Sequence, residues 1–349
     1  MTTLYCHPNN DYTGSTRVLA DILKSDSEST DLKVITTKNK CGLLSDIPGL
    51  KIINVPHPLY KGRFKPLKLL NLLSDFVYNL FFFFTALRYV RGVDKVYINT
   101  ILPFGGVLAA KLCNKPIIYH IHEKIFIKWH MLFVRVAEMV FNKTSAKRIY
   151  VSEYTKNCYV RRDDCQEVVC YNRLPSDFIN NVRVRPVEER PLNTIMMVTS
   201  LSRFKGIFTF IELAKRLSQY RFIMVVSADK SSIDQYIGLN LPENLVVYPS
   251  QKNLSDFYFD TDLVVNLSNP FFLVETFGLT IIEAMAFGIP VIAPKAGGPL
   301  EIIHDKVDGI LTDVTDVENV ATHISGILEN RQRYAEMSKN ALANVIRFM

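Results

Sequence analysis

Short apolar runs alternate with longer segments of helical period along the whole chain. In the first half the runs Thr3–Cys6, Lys33–Thr37, Ile52–Val55, Lys95–Asn99, Pro116–His122, Arg148–Ser152 and Val168–Tyr171 read as strands. Amphipathic stretches such as Ser15–Lys24, Gly105–Cys113 and Lys128–Asn142 lie between several of them. The second half repeats the grammar with Ile195–Val198, Phe222–Val226, Leu245–Tyr248, Leu263–Leu267, Pro290–Ala293 and Ile310–Leu311. Strands that alternate with helices imply parallel sheets covered by helices on both faces. Arg183–Leu192, with two prolines and alternating charge, reads as a hinge or linker. The pattern predicts two doubly wound α/β domains, 1–180 and 181–349, facing a cleft, with ligands beyond the carboxyl ends of the strands.

Leu67–Leu87 is the most hydrophobic window and includes the run Phe81–Phe84. A membrane span needs about 20 apolar residues with few charges. Here Lys68, Asn71, Asp75 and Asn79 recur every three or four positions, opposite Leu69, Leu72, Leu73, Phe76, Leu80, Phe83 and Leu87. That spacing predicts an amphipathic helix, not a span. Lys61, Arg63 and Lys65 precede it, and Arg88 and Arg91 follow. Two readings stay open: a core helix with basic ends, or a helix that docks on an anionic leaflet.

The 349 residues suit two domains of ordinary size. Hydrophobic residues at 48% and charged residues at 21% exclude a disordered, collagen-like or coiled-coil chain. Six scattered cysteines without a C-x-x-C pair exclude a zinc ribbon and point to reduced thiols. Met1–Cys6 lacks a basic region followed by an apolar one, so no secretory signal is expected and the location expected is cytoplasmic. The net charge of +7 suits nucleic acid, an anionic membrane or phosphorylated ligands.

The segment richest in chemistry is Asn269–Ile303. Glu275 and Glu283 are eight positions apart, with Phe277, Gly278, Leu279 and Thr280 between them. Thr280 is the expected N-cap of a helix running to Phe287, with Glu275 in the loop ahead and Glu283 one turn inside. Backbone N–H groups at a helix start that follows a glycine suit a phosphate. A carboxylate on either side could bond sugar and ribose hydroxyls. Ala296-Gly297-Gly298 marks a second turn at a strand's carboxyl end.

E-x7-E inside F-G-L-x-x-x-E-A-M-A-x-G-x-P-V-I-A resembles the retaining glycosyltransferases of family 4, also called glycosyl transferases group 1, which have the GT-B fold. Val198–Gly206, Ile118–Glu123, Arg148–Tyr154, Val169–Pro175 and Gly14-Ser15 extend the resemblance over most of the chain. The resemblance implies that Glu275 contacts the donor sugar, Glu283 the nucleotide ribose, and the amides around Gly278 and Leu279 the distal phosphate. It implies that Lys205 neutralises the departing diphosphate, where charge develops in the transition state. It implies that His122, at its strand's carboxyl end, faces the donor. The family often has an Arg five residues before this Lys; here that position is Ser200, and Arg203 is the substitute considered. Gly14-Ser15 takes the place of a Gly-rich loop for phosphate or acceptor, with Ser where a second glycine is usual.

His120, His122 and His130 do not complete a zinc set. Asp260-Thr261-Asp262 spells D-x-D but lies at the amino end of its strand, so it reads as structural. The expected enzyme is therefore a metal-independent, retaining hexosyltransferase without a cofactor. It would move a sugar from a nucleotide-diphosphate donor to a saccharide or lipid-linked acceptor, in surface polysaccharide or glycolipid assembly, on the inner face of a membrane. The alternatives are a nucleotide-sugar epimerase, a phosphorylase, and a catalytically silent nucleotide-sugar-binding or membrane scaffold protein. Nucleic-acid binding is not expected, because no reading module accompanies the basic residues. The chain is slightly short for the family, and the helix that usually follows a segment like Ala341–Phe348 is not expected in it.

Overall fold

The computed structural model describes residues 2–26, 32–37, 42–56, 65–124 and 131–349. The chain divides into two compact units, Met1–Cys170 and Tyr171–Met349, ten residues ahead of the division expected from the sequence.

The first unit is built on a seven-stranded parallel sheet in the order β3-β2-β1-β4-β5-β6-β7. Its strands are β1 (Thr3–Cys6), β2 (Lys33–Thr37), β3 (Lys51–Val55), β4 (Lys95–Asn99), β5 (Ile117–Ile121), β6 (Lys147–Tyr150) and β7 (Gln166–Val169). Its helices are α1 (Gly14–Ser25), α2 (Lys65–Val90), α3 (Phe104–Leu112), α4 (Met131–Asn142) and α5 (Glu153–Asn157). The strands are near-continuous apolar runs because helices cover both faces of such a sheet. Leu4, Val34, Val96 and Ile98 are fully buried.

The second unit has a six-stranded parallel sheet in the order β10-β9-β8-β11-β12-β13. Its strands are β8 (Thr194–Thr199), β9 (Arg221–Val226), β10 (Leu245–Tyr248), β11 (Leu263–Val265), β12 (Val291–Pro294) and β13 (Gly309–Thr312). Its helices are α6 (Ser176–Ile179), α7 (Ile207–Arg216), α8 (Lys230–Ile237), α9 (Ser255–Phe259), α10 (Leu279–Ala286), α11 (Pro299–Ile302), α12 (Val317–Leu328) and α13 (Arg331–Val345). The expected strands are all present. In each sheet the strand order reverses at one point, between β1 and β4 and between β8 and β11. Such switch points open a crevice at the carboxyl ends, where ligands bind in this class of sheet.

Arg183–Leu192 is packed into the second unit and is not a free linker. Arg190 is buried and donates to Thr261 O at 2.7 Å and Phe287 O at 2.9 Å. Arg331 in turn donates to Arg190 O at 3.0 Å. Asp262 is buried beside Arg190 and accepts from the backbone N–H groups of Asn193 at 2.9 Å and Thr194 at 3.0 Å. Its carboxylate caps the start of β8, as a strand-start residue should.

α2 is helical as expected, but its faces are reversed in part. Asn79 belongs to the predicted polar face, yet it is buried with Tyr78, Phe82, Ala86 and Val90. Its Oδ1 accepts from Gly105 N at 2.9 Å, so the amide satisfies an N–H at the start of α3. A Cβ on Gly105 would meet Asn79 O at 2.2 Å, so glycine is what lets the two helices cross this closely. Leu73, Val77, Leu80, Phe81 and Phe84 are left as an exposed apolar stripe, with exposed Arg88 and Arg91 beyond it. Lys61 and Arg63 of the expected basic fringe, and His130, lie outside the described residues. Among the described residues no helix is long and apolar enough to cross a membrane.

Candidate functional site

The second unit's switch point gathers Lys205 and Glu275. β8 ends at Thr199, and the chain turns through a short 3-10 segment, Arg203–Lys205, into α7. Ser202 caps that segment, its hydroxyl accepting from Phe204 N at 3.3 Å. Gly206 follows with φ 79°, a left-handed turn open to glycine. A Cβ there would meet Leu267 O at 2.3 Å, so the loop presses directly on the chain leaving β11. Asn269 N donates to Phe204 O at 2.8 Å and ties the two loops together.

Glu275 lies on the loop after β11. Its Oε2 accepts from Lys205 Nζ at 2.7 Å, Ser268 Oγ at 3.3 Å and Asn266 Nδ2 at 3.4 Å. The two side chains keep 24% and 18% of their surface exposed, so the pair is shielded yet reachable. Burial pushes the Glu275 carboxyl up, but the Lys205 charge and the three hydrogen bonds outweigh it and hold the group below the ordinary carboxylate range. Glu275 O also accepts from Gly298 N at 2.8 Å, and a Cβ on Gly297 would meet the same carbonyl at 2.2 Å. The Ala296-Gly297-Gly298 turn at the end of β12 therefore packs against the Glu275 loop.

α10 starts at Leu279, and its N-cap is Gly278 with φ 108°, not Thr280. The left-handed cap conformation favours glycine, and it brings Thr280 into the first turn. The first N–H groups of a helix have no partner within it, so Leu279 and Thr280 present theirs at this end. Phe277 is buried. Glu283, inside α10, is also buried, and its Oε2 accepts from Tyr258 Oη at 2.7 Å. Its first partner is thus a protein hydroxyl. Arg203 is exposed, with its guanidinium 5.9 Å from the centre of the Phe204 ring. Phe204 and Phe272 stack at 5.1 Å beside this loop, a pair that sequence reasoning missed.

The first unit brings other predicted residues to its own switch point. Gly14 and Ser15 open α1 and are not the turn before it. His122 follows β5 and is buried, with Nε2 2.8 Å from Asn99 Oδ1. Burial, with His120 and His7 nearby, holds its imidazole well below the ordinary value. His120 is equally buried, 2.8 Å from Tyr97 Oη through Nδ1. Sequence reasoning missed His7 and Asn99. The signal was a polar residue ending or following an apolar strand at the functional edge of the sheet.

Residues 179–343 match the family described as glycosyl transferases group 1. The chain is 36% identical over 106 residues to a probable sucrose-phosphate synthase 5 of Oryza sativa subsp. japonica, a stretch that is 30% of this chain and 10% of that protein. The chain thus spans about a tenth of the length of this curated relative. It superposes with a TM-score of 0.80 on Anabaena HepE in complex with UDP and glucose, at 22% identity, covering 100% of this chain and 95% of the other. It superposes with a TM-score of 0.74 on WaaG, a glycosyltransferase involved in lipopolysaccharide biosynthesis, at 13% identity, covering 99% and 95%. These likenesses show the GT-B fold expected from the sequence, with two Rossmann-like units.

Proposed function

We propose that the chain is a group 1 glycosyltransferase that moves a sugar from a nucleotide-diphosphate donor to a saccharide or lipid-linked acceptor. The observation that carries this reading is the Lys205–Glu275 pair, at 2.7 Å, at a sheet switch point inside the segment that matches the family. In this reading Lys205 leaves Glu275 to neutralise the developing diphosphate, assisted by the N-terminus of α10 at Gly278, Leu279 and Thr280. Glu275 then accepts from a hydroxyl of the donor sugar, and Glu283 takes the ribose. Arg203 is the second cation, and Phe277 holds the loop. His122 acts on the donor sugar, and the Gly14–Ser15 start of α1 serves the phosphate or acceptor.

The charge comes from protein groups, which favours metal-independent chemistry, and retention at the anomeric carbon follows the family resemblance. The uridine nucleotide in the HepE complex makes a UDP-sugar the first donor to test. The exposed α2 stripe supports peripheral attachment to an anionic membrane, and the likeness to WaaG, a glycosyltransferase involved in lipopolysaccharide biosynthesis, supports an acceptor in polysaccharide or glycolipid assembly. The test is a screen of UDP-, GDP- and dTDP-sugars for thermal stabilisation, followed by transfer with Lys205→Ala and Glu275→Ala. At least one nucleotide sugar should raise Tm, and both variants should lose transfer while folding. Conversion of donor without acceptor would favour an epimerase instead.

A further inference from the structure

A buried polar chain runs through the first unit's switch point. His7 follows β1, Asn99 ends β4 and His122 follows β5, and these strands are neighbours in the sheet. Asn99 is fully buried. Its Nδ2 lies 3.1 Å from Ser15 O and 2.9 Å from His7 Nδ1, and its Oδ1 lies 2.8 Å from His122 Nε2.

The direction of this chain is fixed from both ends. The Ser15 carbonyl can only accept, so the amide nitrogen of Asn99 faces it. At the other end Thr16 Oγ1 lies 2.6 Å from Asp11 Oδ1, and a carboxylate also only accepts. The Thr16 hydroxyl proton therefore goes to Asp11. His7 Nε2, 2.9 Å from the Thr16 oxygen, donates to it. Burial holds His7 down to about 4, against a smaller upward pull from Asp11 and Asn99, so it is neutral at pH 7 and its Nδ1 carries a lone pair. That lone pair needs the Asn99 N–H. Both ends give one amide orientation, which leaves Oδ1 for His122 and requires a proton on His122 Nε2.

A second observation marks the same place. Thr100, next in the chain, has φ 76°, a left-handed conformation that is a strained outlier for a β-branched residue. Its N–H still donates to His120 O at 2.8 Å, so the surrounding sheet holds the turn directly after Asn99.

We infer that Asn99 is a positioning residue that locks His122 as its Nε2–H tautomer. Its weight in transfer rests on the proposed function; the tautomer does not.

The test uses the full chain with ¹⁵N-labelled histidine, read by long-range ¹H–¹⁵N correlation. His122 and His7 should each show a pyrrole-type Nε2 and a pyridine-type Nδ1. Asn99→Ala should give His122 averaged, two-tautomer shifts and about a hundredfold lower kcat, with little change in donor KM. Asn99→Asp keeps an acceptor for His122 and should restore its pattern, while His7, which loses the N–H that faced its Nδ1, should change its own. A wild-type His122 protonated on Nδ1 overturns the inference, as does an unchanged pattern in Asn99→Ala. Disturbed tautomers with undiminished kcat overturn the positioning role. The predicted tautomers in a protein that transfers no sugar would uphold the lock and remove the proposed function instead.

Discussion

Lys205 Nζ lies 2.7 Å from Glu275 Oε2, although the two residues are seventy positions apart in the chain. Two glycines make the meeting possible. Gly206 lets the Lys205 loop press on Leu267, and Gly297 lets the next turn press on the Glu275 carbonyl. The geometry is therefore set by backbone packing, and the ion pair is left partly exposed.

Acid stability reports on this pair. The folded Glu275 carboxyl lies below the ordinary value, so its contribution is full above the unfolded-state value and lost as pH falls through the folded one. Wild type should lose more stability on acidification than Glu275→Gln, which carries no such group. Chemical denaturation at neutral pH and below the ordinary Glu range checks this. Parallel losses in both proteins would show that the carboxyl is not held down.

Gly206→Ala should destabilise the second unit by about 1–3 kcal/mol, because φ 79° is strained for alanine and the new Cβ meets Leu267 O at 2.3 Å. The displaced loop carries Lys205, so donor binding should weaken in the surviving folded protein. Thermal melting with and without nucleotide sugar reads both effects.

Asp262→Ala should cost roughly 3 kcal/mol, since it leaves Arg190 buried without its carboxylate neighbour and removes the acceptor of two backbone N–H groups at β8. If the D-x-D triplet has only this structural role, any transfer activity that survives should keep the same response to added Mg²⁺ or Mn²⁺. A changed metal response in the variant would contradict it.

The α2 stripe should drive binding to vesicles that contain an anionic lipid. Leu80→Glu with Phe84→Glu should cut vesicle co-sedimentation, and added salt should weaken the wild-type interaction through screening of cations such as Arg88. Equal sedimentation of variant and wild type would assign the stripe another role.

Much of the architecture was legible because parallel strands buried on both faces are nearly unbroken apolar runs, as Arg221–Val226 is. Glu275 and Gly278 around the start of α10 were legible from one motif, and Lys205 at the end of the loop after β8 from a second segment, Val198–Gly206. The face of α2 was not, because Asn79 counts as polar by type while its amide serves a buried helix start. The α10 cap is not where its sequence points, because Thr280 is a good capping residue, while the left-handed turn at Gly278 is one where a Cβ would run into the Ile281 side chain. Asn99 looks like an ordinary strand end in the sequence, since its partners His7, Ser15 and His122 come together only through the strand order.

Calorimetric titration of UDP-, GDP- and dTDP-sugars into wild type, Lys205→Ala and Glu275→Gln tests the central claim most directly. The account predicts saturable binding of at least one nucleotide sugar to wild type, weakened about tenfold to a hundredfold in Lys205→Ala and also reduced in Glu275→Gln. Binding of none of them, or equal affinity in wild type and Lys205→Ala, would contradict it.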